Sequence, residues 1–435
     1  MGRAGVSLST YWRLVRLNRN YRRLWLAQIV SELGDWLCTV AIYTLLLELT
    51  HSAKAVALAA VLQVLPQFFV APAAGVVNDR LSRKRVMIAT DLARAGIVLG
   101  MLFVSRAQIV WLIYVLLLLE TTMWAFFEPG RSSVIPNIVE GKDLVAANGL
   151  GSMTWSLNLA LGAGLGGAVA AIFGRDAVFI LNSLSFILSA LLLRGMQFSE
   201  PHLAGAAPTR ARDLVDFSPI AEGVRYVARN KPILALLLVK AGLGFLGIHA
   251  VLLPIFGERI FPVKMADMQR GAMLGMSVLM SARGVGALLG PVIGGYWAGQ
   301  RRHLLRLGIL IGFLVSGVGY LGLAAAPSLG LATLAVVFAH GGTSIVWVFS
   351  TTLLQFQTDD RYRGRVFSAD FAFMVVTMSI ASYTAGAAAD WGVPVRALAF
   401  CAGLFALVPA IAWIFGMRLW KGDRGLITDS DAMRR

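Results

Sequence analysis

Twelve apolar runs, each long enough to cross a lipid bilayer, dominate this 435-residue sequence. A membrane-spanning helix needs roughly 20 predominantly apolar residues. The predicted spans are 24–48, 55–77, 86–105, 108–128, 146–173, 175–195, 232–256, 272–297, 304–325, 329–352, 366–389 and 394–419. The runs lack the alternation of barrel strands and exceed their length. The sequence therefore predicts an all-α membrane protein with twelve transmembrane helices.

The composition agrees with this class and excludes several others. Hydrophobic residues make up 57% of the chain and charged residues 14%, whereas a soluble domain has about 45–50% and about 25%. Cys38 and Cys401 both lie in apolar runs, which argues against a disulfide framework and a cysteine metal site. The chain contains no Walker loop, zinc-protease motif or G-x-S-x-G nucleophile motif. We therefore predict a protein that is not an enzyme and holds no metal or cofactor.

Two stretches match the dinucleotide-binding pattern G-x-G-x-x-G, one starting at Gly242 and one at Gly317. Neither follows a strand, and both lie inside predicted membrane helices. In such helices small residues allow close approach of neighbouring backbones. Both stretches are therefore predicted to serve helix packing.

One long polar connection, 196–231, lies between the sixth and seventh predicted helices. It divides the chain into an N-terminal six-helix bundle, 24–195, and a C-terminal six-helix bundle, 232–419. The remaining segments are an N-terminal stretch, 1–23, and a tail, 420–435. The end of the connection, 220–229, has the pattern of an amphipathic helix. An even number of helices places both termini on the same side of the membrane.

The 39 Lys and Arg residues outnumber the 23 Asp and Glu residues, which gives a formal net charge of +16. A basic balance of this kind can indicate nucleic-acid binding, but here the charges follow the topology. Of the basic residues, 29 lie in the termini and the connections on their side, and seven lie on the other side. Cytoplasmic loops of membrane proteins collect Lys and Arg in this way. The sequence therefore predicts cytoplasmic termini and no nucleic-acid partner.

The short connection after the second predicted helix combines a glycine, an acid and a cluster of bases. Its residues are Gly75, Asp79, Arg80, Arg83 and Lys84. This pattern resembles the signature loop of the major facilitator superfamily, G-x-x-x-D-R-x-G-R-[RK], with Ser82 in place of the usual second glycine. The resemblance implies two pseudo-symmetric six-helix bundles that work by alternating access. It also implies that Gly75 allows two helices to approach closely, and that Asp79 latches the first bundle to helix 11, which is predicted to begin near Val366.

Three further stretches, which start at Ser31, Phe126 and Thr352, are similar to passages of bacterial efflux members of that superfamily. Together they resemble the enterobactin-exporter and macrolide-efflux branch of drug:proton antiporters. The resemblance implies a monomer in the bacterial plasma membrane that exports a small amphiphilic molecule, such as a drug, an antibiotic or a siderophore, in exchange for protons. Two alternatives stay open: a dedicated carrier of one endogenous metabolite or lipid, and a non-transporting membrane sensor or scaffold.

Charged side chains inside the predicted spans each need a reason, because the bilayer interior disfavours them. Glu32 and Asp35 lie three residues apart on one face of the first helix, with no base nearby in that helix. Like charges close together in a poorly solvated site favour protonation of one of them. Both carboxylates are therefore candidate proton carriers. For Asp35 the alternative is a hydrogen bond to a neighbouring helix around Gly34.

The third and fourth helices hold three more embedded charges. Asp91 and Arg94 are spaced to form an ion pair within one helix. Glu120 has no local partner. It could face a central cavity, or it could pair with Arg283 or Lys240 of the second bundle.

Two further side chains lie near the end of the fourth predicted helix, the aromatic Trp124 and the cationic Arg131. Trp124 has the position of an interfacial anchor, with the central cavity as the alternative. Arg131 follows the predicted end of the helix, whereas proton-coupled exporters of the resembled family often carry an arginine within it. In the seventh helix, His249 is predicted to be a hydrogen-bonded packing residue on the face opposite Lys240.

Overall fold

The computed structural model describes residues 8–104, 109–204, 216–299, 301–358 and 362–419. Residues 1–7, residues 205–215 of the connection and the tail, 420–435, lie outside these ranges. Twelve helices are long and apolar enough to cross a membrane, as predicted. These helices, α1 to α12, are Arg19–Thr50, Ala53–Arg80, Arg83–Phe103, Trp111–Ile138, Ala146–Phe173, Arg175–Arg194, Lys231–Ile260, Met268–Ala298, Arg302–Ala325, Leu329–Gln357, Arg365–Asp390 and Val395–Met417.

Polar side chains at the starts of several helices fix where those helices begin. Asn18, Ser52, Ser82, Asp267 and Ser328 each accept a hydrogen bond from a backbone N–H of the first turn. The first N–H groups of a helix have no partner within the helix, and such caps satisfy one of them. The helices α1 and α8 therefore start several residues before the apolar runs from which they were predicted.

The fourth helix is longer than predicted. It continues through Pro129 and Pro136 to Ile138, ten residues beyond the predicted end at 128. Proline is tolerated in membrane helices because neighbouring groups satisfy the freed backbone carbonyls. Arg131 therefore lies inside α4, and the prediction that it follows the helix is wrong.

Two other helices are interrupted. A break at Gln63 and Val64, just before Pro66, divides α2 into two segments. In α7 a 3₁₀ turn, Leu246–Ile248, separates two α-helical segments, and the helix ends in a π-helical turn, Phe256–Ile260. Interruptions of this kind often mark functional regions of a helix.

Glycines bring the helices of the second half into close contact, as predicted for the two G-x-G-x-x-G stretches. A Cβ placed on Gly319 of α9 would lie 2.6 Å from Ala339 Cα of α10. A Cβ on Gly244 of α7 would lie 2.7 Å from the Met374 carbonyl oxygen of α11. No side chain fits at such distances, so glycine is required for this packing.

The first six and the last six helices meet mainly through two pairs, α5 with α8 and α2 with α11. We call the end of the bundle that carries Arg80 and Arg83 the basic end. At the opposite end, Asp390 of α11 accepts hydrogen bonds from Ser52 Oγ at 2.5 Å and from the backbone N–H of Ala53 at 2.7 Å and of Lys54 at 3.1 Å. The last residue of α11 thus caps the first turn of α2 and holds the two halves together.

Further contacts close the same end. Thr44 Oγ1 of α1 lies 3.8 Å from Met276 Sδ of α8. Arg259 donates a hydrogen bond to the backbone carbonyl of His51 at 3.1 Å. Nearer the middle, Ser281 Oγ of α8 donates to the Ala160 carbonyl of α5 at 2.7 Å. The structure is therefore closed at the end opposite the basic one.

Two shorter helices lie at the basic end. The helix Leu8–Leu17 was not predicted. The helix Ser218–Arg229 confirms the predicted amphipathic helix of the connection. Its Glu222 forms an ion pair with Arg365 at 2.8 Å, and its Tyr226 ring stacks on the Tyr362 ring with 4.4 Å between the ring centres. This helix therefore rests on the start of α11.

We expect Gly284→Ala to lower the melting temperature of the purified protein and Gly75→Ala to leave it unchanged or slightly raised. A Cβ on Gly284 of α8 would lie 2.5 Å from Ala160 Cα of α5, whereas nothing lies within 4 Å of a Cβ on Gly75. Overpacking costs roughly 1–3 kcal/mol, and alanine is about 1 kcal/mol better than glycine in an open helical position. Thermal unfolding in detergent tests this. Equal melting temperatures of the two variants would contradict it.

Candidate functional site

Four charged side chains from three helices of the first half meet around Arg94 of α3. The Arg94 guanidinium lies 2.6 Å from Asp35 of α1, 3.7 Å from Asp91 of α3 and 3.9 Å from Glu120 of α4. Its carbon Cζ lies 4.0 Å from the centre of the Phe186 ring of α6. We call Asp35, Asp91, Arg94 and Glu120 the Arg94 cluster. In this cluster three carboxylates surround one buried cation, the guanidinium of Arg94.

The members of the Arg94 cluster differ in their access to the space between the helices. Arg94 and Asp91 are fully buried, and Ser189 of α6 donates a hydrogen bond to Asp91 at 2.6 Å. The side chain of Asp35 is 26% exposed and that of Glu120 is 13% exposed. Asp35 and Glu120 are therefore the accessible members, and Asp91 is the buried counter-ion.

The predicted pairing within α3 is present, but Arg94 binds Asp35 more closely than Asp91. Glu120 contacts Arg94 rather than Arg283 or Lys240, so neither predicted pairing with the second half is found. The spacing in the chain shows only which charges share a helix, whereas the contact between α1, α3 and α4 depends on how the helices pack. Trp124 lies one turn beyond Glu120 on α4 and is half-buried.

Glu32 belongs to a second network nearer the basic end. Gln28 donates a hydrogen bond to Glu32 at 2.9 Å, and Asn158 of α5 donates one at 3.2 Å. Arg131 of α4 donates to Gln28 at 3.1 Å and binds Glu128 through two hydrogen bonds of 2.6 and 2.8 Å. We call this set the Arg131 network. Glu32 and Asp35 share a helical face as predicted, yet they belong to different networks. Asp35 contacts Arg94 directly, whereas Glu32 is linked to Arg131 through Gln28.

The described residues of the second half include one buried ion pair. Lys240 of α7 is 1% exposed, and its Nζ lies 3.6 Å from Asp370 of α11. The ammonium also donates to Thr351 at 2.8 Å and lies 3.5 Å from the centre of the Trp347 ring of α10. The partner of Lys240 is therefore Asp370, which the sequence analysis did not single out.

Arg283 of α8 lies beside an aromatic ring of the first half, and two imidazoles of the second half lie beside each other. Its guanidinium is 5.5 Å from the centre of the Trp36 ring of α1. The rings of His249 and His340 lie 4.7 Å apart, and His249 Nδ1 lies 3.1 Å from the Leu246 carbonyl oxygen. This contact agrees with the predicted packing role of His249.

The signature connection is attached to the first half. Ser82 caps α3 and donates a hydrogen bond to Glu200 at 2.6 Å, and Lys84 donates to the Met196 carbonyl at 2.6 Å. Arg83 donates to the carbonyls of Asn78 at 3.1 Å and Ser133 at 3.2 Å. The serine that replaces the usual glycine thus anchors the chain that follows α6.

The two roles that the resemblance implies for Asp79 and Gly75 are not seen in this conformation. The Asp79 side chain is 76% exposed and lies 3.8 Å from Arg83, and it makes no contact with the described part of α11. The close approach to α4 is made instead at Gly130, where a Cβ would lie 2.6 Å from Asn78 Oδ1. The expected close contact at Gly75 is therefore absent from this structure, and the latch role of Asp79 stays a prediction.

Comparison with known proteins agrees with this architecture. The family model described as transmembrane secretion effector matches residues 12–432. The chain is 29% identical to the MFS-type transporter YkuC of Bacillus subtilis, over 75% of this chain and 77% of that protein. It is 25% identical to macrolide efflux protein A of Streptococcus pyogenes, over 85% of this chain and 88% of that protein.

Solved structures show the same fold. The POT family transporter PepTSo matches with a TM-score of 0.71 at 11% identity, over 93% of this chain and 99% of that chain. At this level of identity the match shows the fold alone. The family match and the twelve spans make the chain a multi-pass membrane protein with bacterial relatives. The chain therefore belongs to the transmembrane secretion effector family of major facilitator transporters, and its two six-helix halves form the major facilitator fold.

Proposed function

We propose that this protein exports small amphiphilic molecules from bacterial cells in exchange for protons. The observation that carries the proposal is the Arg94 cluster, in which three carboxylates from three membrane helices surround one guanidinium. The similarity to macrolide efflux protein A supports the direction of transport. In this proposal the protein works as a monomer in the plasma membrane. The basic end lies in the cytoplasm, because cytoplasmic loops of membrane proteins collect Lys and Arg.

Charge balance supports a proton in the Arg94 cluster. One guanidinium can neutralise one carboxylate, and three fully ionised carboxylates would leave surplus negative charge in a poorly solvated site. At least one carboxyl group therefore holds a proton in this conformation. Asp35 and Glu120 are the partly accessible members, so they exchange that proton with the space between the halves.

The Arg131 network supplies a second carboxylate pair, nearer the basic end. Glu128 neutralises Arg131 directly, whereas Glu32 reaches it only through Gln28. Glu32 can therefore gain or lose a proton without breaking the ion pair. We assign Glu32 the exchange of protons with the cytoplasmic side.

The conformation supports alternating access. Contacts between the halves close the end opposite the basic one, and at the basic end Asp79 makes no contact with the part of α11 that the structure describes. A carboxylate at the start of a helix is stabilised by the helix dipole. Asp390 makes such a contact with α2 here, and Asp79 makes the corresponding contact with α11 when the basic end closes.

We expect Asp390→Asn and Asp79→Asn to shift the conformational equilibrium in opposite directions. We call the end opposite the basic one the outer end. In Asp390→Asn the loss of the charged cap on α2 favours opening of the outer end. In Asp79→Asn the loss of the proposed contact with α11 favours the structure described above, in which the outer end is closed. The reporter is Thr44→Cys, in a Cys38→Ser/Cys401→Ser background, because Thr44 is buried between the halves at the outer end. An exposed helix-terminal charge contributes about 0.3–1 kcal/mol, so the labelling rate by an impermeant maleimide changes by about two- to fivefold.

The control is Asp176→Asn, which alters an exposed carboxylate at the outer end of α6. Its labelling rate should equal that of the parent. Equal rates in the Asp390 and Asp79 variants, or a shift of both in the same direction, would contradict alternating access through these two contacts.

A further inference from the structure

Arg283 is an embedded cation with no carboxylate partner among the residues that the structure describes. Of the cations deep in the described helices, Arg94, Arg131 and Lys240 each lie within ion-pair distance of an acid. Arg283 has no such partner in this part of the chain, although it is the middle residue of the 31-residue helix α8 and is only partly exposed. Its charge is therefore available to a group that enters between the helices.

The position of Arg283 is between the two halves. Its guanidinium faces the Trp36 ring of α1, and the Trp36 ring makes an edge contact with Trp155 of α5 at 5.8 Å. Two residues earlier, Ser281 is hydrogen-bonded to Ala160 of α5. Arg283 thus lies where α8 meets α1 and α5.

Arg283 also lies on the basic-end side of the contacts that close the outer end. Met276, which contacts Thr44, precedes Arg283 by seven residues on α8, about 10 Å along the helix axis. A molecule that enters between the halves from the basic end therefore reaches Arg283 before the closed contact.

Within the described helices, the group that contacts the Arg283 guanidinium is the neutral ring of Trp36, and no carboxylate lies within ion-pair distance. The hydroxyls of Tyr43 and Tyr320 donate elsewhere, to Gln63 Oε1 at 2.6 Å and to the Leu246 carbonyl at 3.1 Å. The guanidinium itself is therefore the donor that this site offers to oxygen atoms of a ligand.

We propose that Arg283 binds an anionic group of the transported molecule, and that the substrates include aromatic amphiphiles with a carboxylate or a similar planar oxyanion. A guanidinium binds a carboxylate through two parallel hydrogen bonds. The partly exposed indole of Trp155 and the ring of Trp36 offer apolar faces to the aromatic body. The inference rests on the proposed export function and names the substrate class.

A different use of Arg283 would be an ion pair with Glu120 in the alternate conformation. In that case the loss of Arg283 would impair the conformational change, and every substrate would be affected. Under our proposal the loss depends on the charge of the substrate. Fluorescein and rhodamine 123 separate the two, because they share a xanthene ring while fluorescein is an anion and rhodamine 123 is a cationic ester.

The test is fluorescence anisotropy of each dye with the full-length protein in detergent, without a proton gradient. We expect Arg283→Gln to weaken fluorescein binding by about tenfold or more, the scale of a lost charge-assisted pair. The affinity for rhodamine 123 should change less than about twofold, which is smaller than the effect of losing a typical neutral hydrogen bond. Arg283→Lys should be intermediate, because an ammonium lacks the planar fork. The control is Arg270→Gln, on the same helix but half exposed and paired with Asp267.

Three results would overturn the assignment: no fluorescein binding by the parent, equal fluorescein affinity in the parent and Arg283→Gln, or equal loss of both dyes in Arg283→Gln. The melting temperatures of all variants identify any that are misfolded. If Arg283→Gln is misfolded, the dye affinities of Arg283→Lys are compared with those of the parent instead. Because binding is measured without a gradient, a failure of proton coupling leaves this result standing. Conversely, proton-coupled export of rhodamine 123 alone would support the export function and remove Arg283 from substrate recognition.

Discussion

Replacing Asp35 with asparagine is expected to lower proton-coupled export by about tenfold or more while the protein stays folded. Asp35 makes the shortest contact of the Arg94 cluster, 2.6 Å, and is its most exposed carboxylate. Hydrogen bonds to charged groups contribute about 1.5–3 kcal/mol, which corresponds to about 10- to 100-fold in rate. Asparagine keeps the shape of the side chain but cannot carry a proton. The initial rate of export in reconstituted vesicles measures the effect.

Two further variants separate proton transfer from folding. Asp176→Asn, at an exposed site outside the cluster, should export at the parental rate. Asp91→Asn should lower the melting temperature more than Asp35→Asn, because Asp91 is fully buried beside Arg94. Parental export rates in Asp35→Asn and Glu120→Gln together would exclude the Arg94 cluster from coupling.

Lys240→Met is expected to cause the largest loss of stability. The substitution leaves Asp370 buried without its cation, and breaking a buried pair from one side costs about 3–5 kcal/mol. The double variant Lys240→Met/Asp370→Leu should recover most of that loss, because it removes both charges. Thermal unfolding of the single and double variants in detergent gives the comparison.

The matched control for this pair is Arg270→Met. Arg270 and Asp267 lie 3.2 Å apart, but both side chains are about half exposed. Exposed pairs contribute about 0–1 kcal/mol, so the melting temperature should hardly change. A double variant no more stable than Lys240→Met would show that the ammonium is held by its contacts with Thr351 and Trp347 rather than by the charge of Asp370.

The fold could be predicted because each spanning helix satisfies its own backbone. Twelve apolar runs were enough to find all twelve helices, and Ser218–Arg229 was found from its amphipathic pattern. The ends of helices were less accurate where proline occurs. The predicted span of α4 ends at 128, just before Pro129, yet the helix continues, since backbone carbonyls freed by proline are satisfied by the surrounding protein.

The candidate site could be predicted only where partners share a helix. The pairing of Asp91 with Arg94 follows from their spacing, whereas the contacts of Arg94 with Asp35 and Glu120 depend on the packing of three helices. Asp370 is an acid within a predicted span, and the same cost argument that selected Lys240 could have identified it. No local pattern signals Asp390, because its role depends on α2 meeting α11.

The embedded charges of the two halves are complementary. In the first half, carboxylates outnumber cations in both the Arg94 cluster and the Arg131 network. In the second half, Lys240 is neutralised by Asp370 and Arg283 is left without a carboxylate in the described helices. We therefore propose that the first half carries protons and that the second half binds an anionic substrate.

Proton exchange in inside-out vesicles tests the central claim most directly. A proton gradient is imposed on vesicles that contain the parent protein or Asp35→Asn, and erythromycin, rhodamine 123 or fluorescein is added. We expect at least one of the three to dissipate the gradient with the parent, and the rate of dissipation to fall by about tenfold or more with Asp35→Asn. No dissipation with the parent, with the protein verified in the membrane, would contradict exchange of amphiphiles for protons and favour a dedicated carrier of one metabolite. Equal dissipation by both proteins would place the proton pathway outside the Arg94 cluster.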